Sequence, residues 1–463
     1  MALRFFVVTG LLAMVVAGCN APRPEGVAGC SDDFYRFERD DPQSEGRGQV
    51  TDYSAERIGN SPDRRKLYEG MVDAINQIPA GTRDEPAYVH VLVLSGGGAW
   101  GAYGAGFLNG WRIADSLTGG EYTSRSSIGY PRQRRSDIHI VAGISTGAAQ
   151  APAAYVGATT EAQVARHADR RLAEQYTAVS EDSLIRMRFG GKASALFSNS
   201  IYSVDGLEDQ SRKLVDSYFD VIKSMPVSKR IYVGTLNVDR NRFVVADLKA
   251  MADRSVESSK AQAKACVAQS LLASAAVPLA FPPRFIDGEM YVDGNVRHGV
   301  FATLLFGDRR VRKAMRDRHL LPYVSVIVNG NQSADSYRDS KERHEVKNGA
   351  LAIVGAAVSN MLDQVAKDST YQIENDLIAL FGANGEQINY FSRYTYVDNA
   401  AIRAADFAEC RAARASTNDQ IFDPVFMKCL YNIGFEAAQS QEADRMGWRD
   451  FFRMPPPAPP PPG

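Results

Sequence analysis

Two short apolar runs in the first third of the chain each end at glycines and continue into small residues that favour a helix. The first, residues 91–94, breaks into Ser-Gly-Gly-Gly-Ala-Trp-Gly at 95–101, and the second, residues 138–142, ends in Gly-Ile-Ser-Thr-Gly at 143–147. Buried strands that pass directly into helices are typical of an α/β sheet, and such a sheet carries its site outside the carboxyl ends of the strands. We therefore expect an α/β fold with its chemistry at these two turns.

The composition and charge of the whole chain restrict the class of protein only broadly. The 463 residues are 45% hydrophobic and 23% charged, which is ordinary for a globular protein of one large domain or two. The formal net charge is −1 and no long basic stripe is present. These features argue against a nucleic-acid-binding protein.

The N-terminus has the pattern of an export signal. A short basic start is followed by an apolar run at residues 5–17, which is too short to span a bilayer comfortably. The run ends in Val-Ala-Gly before Cys19, which resembles the lipobox of bacterial lipoproteins, whose cysteine is lipidated and becomes the first mature residue. The resemblance, with Asn20 after the cysteine, implies a lipid-anchored protein of the bacterial cell envelope, in the outer membrane and facing the periplasm. An ordinary secretory signal is the alternative.

Periodicity and turn residues divide the chain into segments. We expect an amphipathic helix at 61–78, strands at 230–236, 242–248, 323–328 and 390–397, a hairpin at 285–292, and helices at 300–315 and 346–380. The C-terminal tail is nearly all proline and should be extended and disordered. The predicted organisation is a signal peptide (1–18), a tether with one helix (19–86), the main α/β domain (87–400), a helical extension (401–453) and the tail (454–463).

Four further cysteines have spacings that match no zinc site. In an oxidising compartment they can form disulfides. Cys410 and Cys429 lie close together and are the best candidates for a bridge. Cys266 lies among alanines on a predicted helix, and we expect it to be a buried thiol.

The Gly-Ile-Ser-Thr-Gly segment fits a nucleophile elbow. A serine on a tight strand-to-helix turn exposes its hydroxyl at the top of the sheet, and flanking glycines avoid clashes in that turn. The helix that follows directs its N-terminal N–H groups toward developing negative charge. Ser145 is therefore the candidate nucleophile. The five-residue pattern alone is weak, and the strand before it and helix after it strengthen it.

A nucleophilic serine needs a base. Of the six histidines, only His298 lies near a candidate active loop, five positions after Asp293, and it permits a Ser-His-Asp triad. Asp293 itself is the second candidate base, since a buried carboxylate can accept the serine proton directly. The alternative role of Asp293-Gly294 is a simple β-turn, and Asp287-Gly288 nearby is predicted to be only that.

The glycine run at 96–98 can supply donors for an oxyanion, because backbone N–H groups approach a substrate unobstructed there. A phosphate-binding loop is disfavoured because no Gly-Lys-Ser/Thr follows and Trp100 stands where lysine is needed. The spacing Gly96, Gly98, Gly101 also permits a dinucleotide fingerprint. That interpretation leaves Ser145 unexplained and lacks an obvious acid after the next strand.

Four motifs in order resemble the patatin-like phospholipases over residues 88–330. They are the glycine loop at 96–101, the elbow at 143–147, Ala-Ser-Ala-Ala-Val-Pro with Phe-Pro-Pro at 273–283, and Asp-Gly-Asn at 293–295. The resemblance implies a three-layer α/β/α fold with a mainly parallel sheet. It also implies a Ser145–Asp293 dyad, an oxyanion hole formed by Gly96, Gly97 and Gly98, lipid acyl-ester substrates, and no catalytic metal or organic cofactor.

Two positions depart from the family pattern. Trp100 replaces the usual lysine or arginine, and Asn295 replaces glycine or alanine. The first bears on headgroup preference and loop packing, whereas asparagine tolerates the same turn conformations as glycine.

The sequence thus predicts a membrane-anchored serine acyl hydrolase that cleaves carboxylic esters of lipids and binds the membrane surface through its N-terminal anchor. Two alternatives remain open. One is a non-catalytic envelope lipoprotein that uses the same fold as a binding module. The other is a Ser-His-Asp esterase that uses His298.

Overall fold

The computed structural model describes residues 23–37, 62–117, 133–189, 198–331, 349–382, 390–397, 410, 412, 421–440 and 447–450. The predicted signal peptide, Cys19 and the proline tail lie outside these residues, as does most of the predicted tether. The strands are β1 (Phe34–Phe37), β2 (Ala87–Leu94), β3 (Ile140–Ile144), β4 (Arg186–Met187), β5 (Tyr202–Ser203), β6 (Arg230–Asn237), β7 (Arg242–Asp247), β8 (Arg284–Ile286), β9 (Glu289–Asp293), β10 (Leu320–Asn331), β11 (Phe391–Val397) and β12 (Arg449–Asp450). The α-helices are α1 (Pro62–Asn76), α2 (Gly101–Leu117), α3 (Thr146–Val156), α4 (Ala162–Thr177), α5 (Glu181–Leu184), α6 (Asp205–Ser224), α7 (Leu248–Arg254), α8 (Lys260–Ser274), α9 (Arg309–Asp317), α10 (Ala350–Phe381) and α11 (Pro424–Gln439).

One large sheet organises the described residues, with the strand order β1-β7-β6-β3-β2-β10-β11-β12. The five central strands, β6, β3, β2, β10 and β11, run parallel, and antiparallel strands add to both edges. β9 pairs with the end of β6 and connects it to β8. Because β2, β3 and β6 are parallel neighbours, their carboxyl ends meet at one edge of the sheet.

Helices cover both faces of this sheet. Alternate residues of the central strands belong to two hydrophobic clusters: Leu92 and Leu94 of β2 face one layer, whereas Val91 and Val93 face the other. The first layer includes α2, α3, α6, α8 and α11, and the second includes α1, α9 and the C-terminal half of α10. Strands buried on both faces account for the continuous apolar runs in the sequence. The arrangement confirms the expected three-layer α/β/α fold.

The N-terminal segment differs from the prediction. Part of the expected tether forms β1, which pairs antiparallel with β7. Asp287, predicted to serve only in a turn, also accepts hydrogen bonds from the backbone N–H groups of Gly29, Cys30 and Ser31. Cys266 is not a free thiol, since it forms a disulfide with Cys30. A partner 236 residues away in sequence cannot be identified from spacing.

The helix predicted at 300–315 is interrupted in the structure. A 3-10 turn at Ala302–Phe306 ends at Gly307, and the side chain of Asp308 caps the start of α9 by accepting a hydrogen bond from the backbone N–H of Arg310. Cys410 and Cys429 are bridged, as expected. Among the described helices, none is both long and apolar enough to cross a bilayer.

The Cys30–Cys266 bridge ties the N-terminal segment to α8. Replacing both cysteines by serine should lower the free energy of unfolding by about 2–4 kcal/mol, because the unfolded chain regains a long open loop. Urea denaturation of the oxidised proteins measures this loss. The matched control replaces Cys410 and Cys429, which are 19 residues apart. Equal stability of the Cys30/Cys266 double variant and the parent would refute the prediction.

Candidate active site

Ser145 lies on a sharp turn between β3 and α3. Its backbone is left-handed, with φ 54° and ψ −122°, a conformation that costs free energy in a non-glycine residue. The turn is too tight for side chains on either side: a Cβ on Gly143 would lie 2.4 Å from the carbonyl oxygen of Gly147, and one on Gly147 would lie 2.2 Å from that of Leu94. The predicted elbow geometry is therefore present.

The strained turn is stabilised by a hydrogen bond to Ser274, the last residue of α8. The backbone N–H of Ser145 donates to Ser274 Oγ at 2.9 Å, and this hydroxyl donates to the carbonyl of Gly234 at 2.6 Å. Ser274 is fully buried. It therefore links the elbow to the neighbouring strand β6 and fixes the serine backbone.

Asp293 ends β9, opposite Thr235 of β6. Its side chain is fully buried, and Oδ1 accepts a hydrogen bond of 2.8 Å from the backbone N–H of Asn295. Oδ2 has no described partner in good hydrogen-bond geometry. The Ser145 side chain interacts with this carboxyl group. The structure thus brings the two predicted residues together from distant positions in the sequence.

Burial sets the proton affinity of Asp293. Loss of water raises the pKa of its carboxyl group to about 7, although hydrogen bonds from Ser145 and from the backbone of Asn295 partly oppose the rise. A carboxylate with this pKa is a much better proton acceptor near neutral pH than an exposed aspartate. The site therefore holds a hydroxyl beside a basic, water-poor carboxylate.

The glycine loop follows β2, next to the elbow that follows β3. A Cβ on Gly96 would lie 3.2 Å from the Cβ of Ser145, so the loop backbone passes directly beside the serine. Gly97 has φ 154°, and a Cβ there would lie 1.4 Å from the carbonyl oxygen of Asn329. None of the described residues accepts a hydrogen bond from the backbone N–H of Gly97 or Gly98.

A buried amide network supports this loop from the next strand, β10. Asn329 donates through Nδ2 to the carbonyl of Ser95 and to Gln150 Oε1, and its backbone N–H donates to Ser95 Oγ. Gln150, on α3, donates in turn to the carbonyl of Gly101. The network joins the start of the glycine loop, its end and helix α3 into one rigid unit.

The two departures from the family pattern have defined surroundings. Trp100 packs edge-on against Phe426 of α11, with ring centroids 5.4 Å apart. Asn295 is buried beside Gly96, and its Nδ2 donates to the carbonyl of Leu362 on α10 at 3.2 Å. Its Oδ1 is buried without a described partner. Trp100 thus connects the glycine loop, and Asn295 the loop after Asp293, to helices from the C-terminal third of the chain.

Among the described residues, no hydrogen bond joins the ring of His298 to Ser145 or Asp293. Its ring lies edge-on to Phe243, with centroids 4.7 Å apart. Burial and the nearby charge of Arg297 lower its pKa to about 4, so the ring is neutral at physiological pH.

Two other histidines, His90 and His139, stack on each other on the amino-terminal side of β2 and β3, away from the carboxyl ends of these strands. Within the described part of the chain, no cluster of three or more histidine, cysteine, aspartate or glutamate side chains is arranged to hold a metal.

Sequence reasoning did not identify three supporting residues, Ser274, Gln150 and Asn329. Ser274 lies inside one of the four motifs, but its role as an acceptor for the elbow depends on the position of α8. Asn329 carried a signal in the sequence, because it directly follows the strand predicted at 323–328, on a chain whose chemistry was expected at strand ends. Gln150 lies among alanines one helical turn after the elbow, where a polar side chain needs a partner.

Comparison with known proteins agrees with this geometry. Residues 92–306 match the family model for patatin-like phospholipases, and this range includes the elbow, the glycine loop and Asp293. The crystal structure of VipD from Legionella pneumophila is similar over 76% of this chain and 69% of VipD, with 12% sequence identity and a TM-score of 0.29. No curated protein matches the chain significantly. Residues 92–306 are thus similar to the patatin-like phospholipases, a family of lipid acyl hydrolases.

Proposed function

We propose that this protein is a membrane-anchored lipid acyl hydrolase in which Ser145 is the nucleophile and Asp293 its base. One observation carries the proposal: a fully buried carboxylate, with one oxygen lacking a well-formed hydrogen bond, lies beside a serine on a strained elbow. Burial of an unpaired carboxylate costs stability and is retained mostly where function needs it. The neighbouring glycine loop supports the same assignment.

The reaction follows from these positions. Ser145 Oγ attacks the ester carbonyl while its proton moves to Asp293, and the backbone N–H groups of Gly96, Gly97 and Gly98 stabilise the negative oxygen. The intermediate collapses when Asp293 returns the proton to the departing alcohol, which leaves an acyl-serine. Water then attacks this ester, again giving a proton to Asp293. The second collapse releases the fatty acid, and the proton returns to Ser145.

The location belongs to the same proposal. The lipobox-like residues before Cys19 support lipidation there and an outer-membrane location that faces the periplasm, close to lipid substrates. Disulfides at Cys30–Cys266 and Cys410–Cys429 fit an oxidising compartment. Mass spectrometry of the mature N-terminus tests the assignment. A lipid-modified Cys19 at the mature N-terminus supports lipidation, and an unmodified N-terminus contradicts it.

The pH dependence of turnover should report the Asp293 carboxyl. Because the base must be ionised, kcat/KM should fall about tenfold per pH unit below its pKa of about 7 and level off above it. Asp293→Asn should lower kcat by about 10²–10⁴-fold and remove this limb. A pH profile on a soluble ester gives both results. An unchanged profile in the Asn variant would exclude Asp293 as the base.

Stability provides a control for the same variant. The folded-state pKa of Asp293 is raised to about 7, so between about pH 4 and 7 the native protein binds more protons than the unfolded chain, and stability falls as the pH rises. The amide of the Asp293→Asn variant carries no charge to bury. This variant should therefore be at least as stable as the parent at about pH 8 in urea denaturation, so its lost activity cannot be attributed to unfolding.

Replacement of His298 separates the dyad from the triad. Ser145→Ala should abolish hydrolysis of phospholipid and of short-chain esters, whereas His298→Ala should reduce kcat by less than about tenfold, because its ring contacts Phe243. Initial rates on both substrates provide the measurement. A loss with His298→Ala as severe as with Ser145→Ala favours a triad. An inactive but folded parent protein favours a non-catalytic binding module.

A further inference from the structure

Helix α10 has two halves with different surroundings. Its C-terminal half packs on the domain: Ile373 and Leu377 are buried in the second hydrophobic layer, and Asp376 accepts a hydrogen bond from Thr303. The N-terminal half contains residues 353–362, here termed the apolar arm. Most of its residues are exposed or only partly covered.

The apolar arm has an unusual composition for an exposed helix. It contains no charged residue, and the first charge after it is Asp363. Three large apolar side chains are exposed: Ile353 by 51%, Val354 by 46% and Met361 by 43%. Ser359 and Asn360 are its polar residues. An uncharged helical segment that is otherwise apolar is normally buried in a protein or in lipid. Its exposure therefore marks an interaction surface.

The C-terminal end of the arm lies at the active site. The carbonyl of Leu362, its last residue, accepts the hydrogen bond from Nδ2 of Asn295, two residues after Asp293 and beside Gly96. One turn further on, a Cβ on Gly299 would lie 2.3 Å from the Cα of Ala366, so the helix directly contacts the loop after Asp293. The arm is thus continuous with the site at which a lipid ester must enter.

We propose that the apolar arm docks this protein on a phospholipid bilayer and holds the active-site entrance against it. Its ten residues span about 15 Å as a helix. A helix that lies in the plane of the membrane interface buries its apolar face by about 5–10 Å, at the boundary between headgroups and acyl chains. This inference rests on the proposed lipid-ester activity, since that substrate resides in the bilayer.

Tryptophan quenching tests the insertion independently of catalysis. Val354→Trp is introduced into the full-length Ser145→Ala protein and mixed with phosphatidylcholine vesicles whose acyl chains carry bromine. Val227→Trp is the matched control, because Val227 is similarly exposed, by 51%, and lies before β6 at the amino ends of the strands, away from the site. We expect the added fluorescence to be quenched at 354 and unchanged at 227. Equal quenching at both positions would overturn the proposal.

Kinetics provides the second test. In the active protein, Val354→Asp and Met361→Asp should lower hydrolysis of phospholipid vesicles at least tenfold and leave hydrolysis of a soluble short-chain ester within twofold. Val227→Asp should change neither rate. Equal losses on both substrates would overturn the docking role. It would also be overturned if the Asp variants sediment as monomers where the parent is an oligomer, and if no quenching is seen at position 354. That combination would identify a second copy of the chain as the partner of the arm. If the parent hydrolyses neither substrate, the proposed function fails, while the quenching result still decides whether the arm inserts.

Discussion

The chemistry available at the site depends most on a single unfavourable burial, that of the Asp293 carboxylate. An isolated charge loses its hydration inside a protein, and here only the backbone of Asn295 and the Ser145 side chain compensate for that loss among the described residues. The consequence is a raised pKa, which places the carboxyl group near the range where it can both accept and return a proton. The sheet makes this possible, because β9 pairs with β6 and carries Asp293 to the end of β3.

The surrounding framework keeps the reacting groups rigid. The elbow backbone is held by Ser274, and the glycine loop by Asn329 and Gln150. All three supporting side chains are fully buried. Buried hydrogen-bond networks of this kind limit the motion of the groups they hold, so the proposed oxyanion donors would need no reorganisation in the proposed reaction. The strained backbone of Ser145 is held by Ser274 on α8, and the adjacent glycine loop is held by Asn329 on β10 and Gln150 on α3.

Local patterns predicted the parts of the fold that depend on neighbours in sequence. The apolar runs of β2 and β3, the elbow and the hairpin at 285–292 each carry their own signal. Residues 34–37 carry no such signal, because Phe-Tyr-Arg-Phe forms an edge strand only by pairing with β7, which lies far along the chain. The partner of Cys266 was missed for the same reason. The resemblance to a family indicated which serine and aspartate to pair, and no local pattern could have replaced it.

The surface of α10 illustrates a further limit of sequence reasoning. Its apolar residues at 353–362 resemble those of any buried helix, and the fold alone shows that they are exposed beside the active site. The domain therefore combines a rigid, water-poor reaction centre with an apolar projection at its entrance. Both features suit a substrate whose ester group lies at a lipid–water boundary.

The central claim is that Ser145 is an activated nucleophile, and labelling with a fluorophosphonate followed by peptide mapping tests it most directly. The reagent forms a stable bond only with a serine whose hydroxyl is activated and whose oxyanion site is formed. Our account predicts one modified residue, Ser145, in the parent protein and no modification in Asp293→Asn. An unlabelled Ser145 in a protein shown to be folded, or labelling at a different serine, would contradict it.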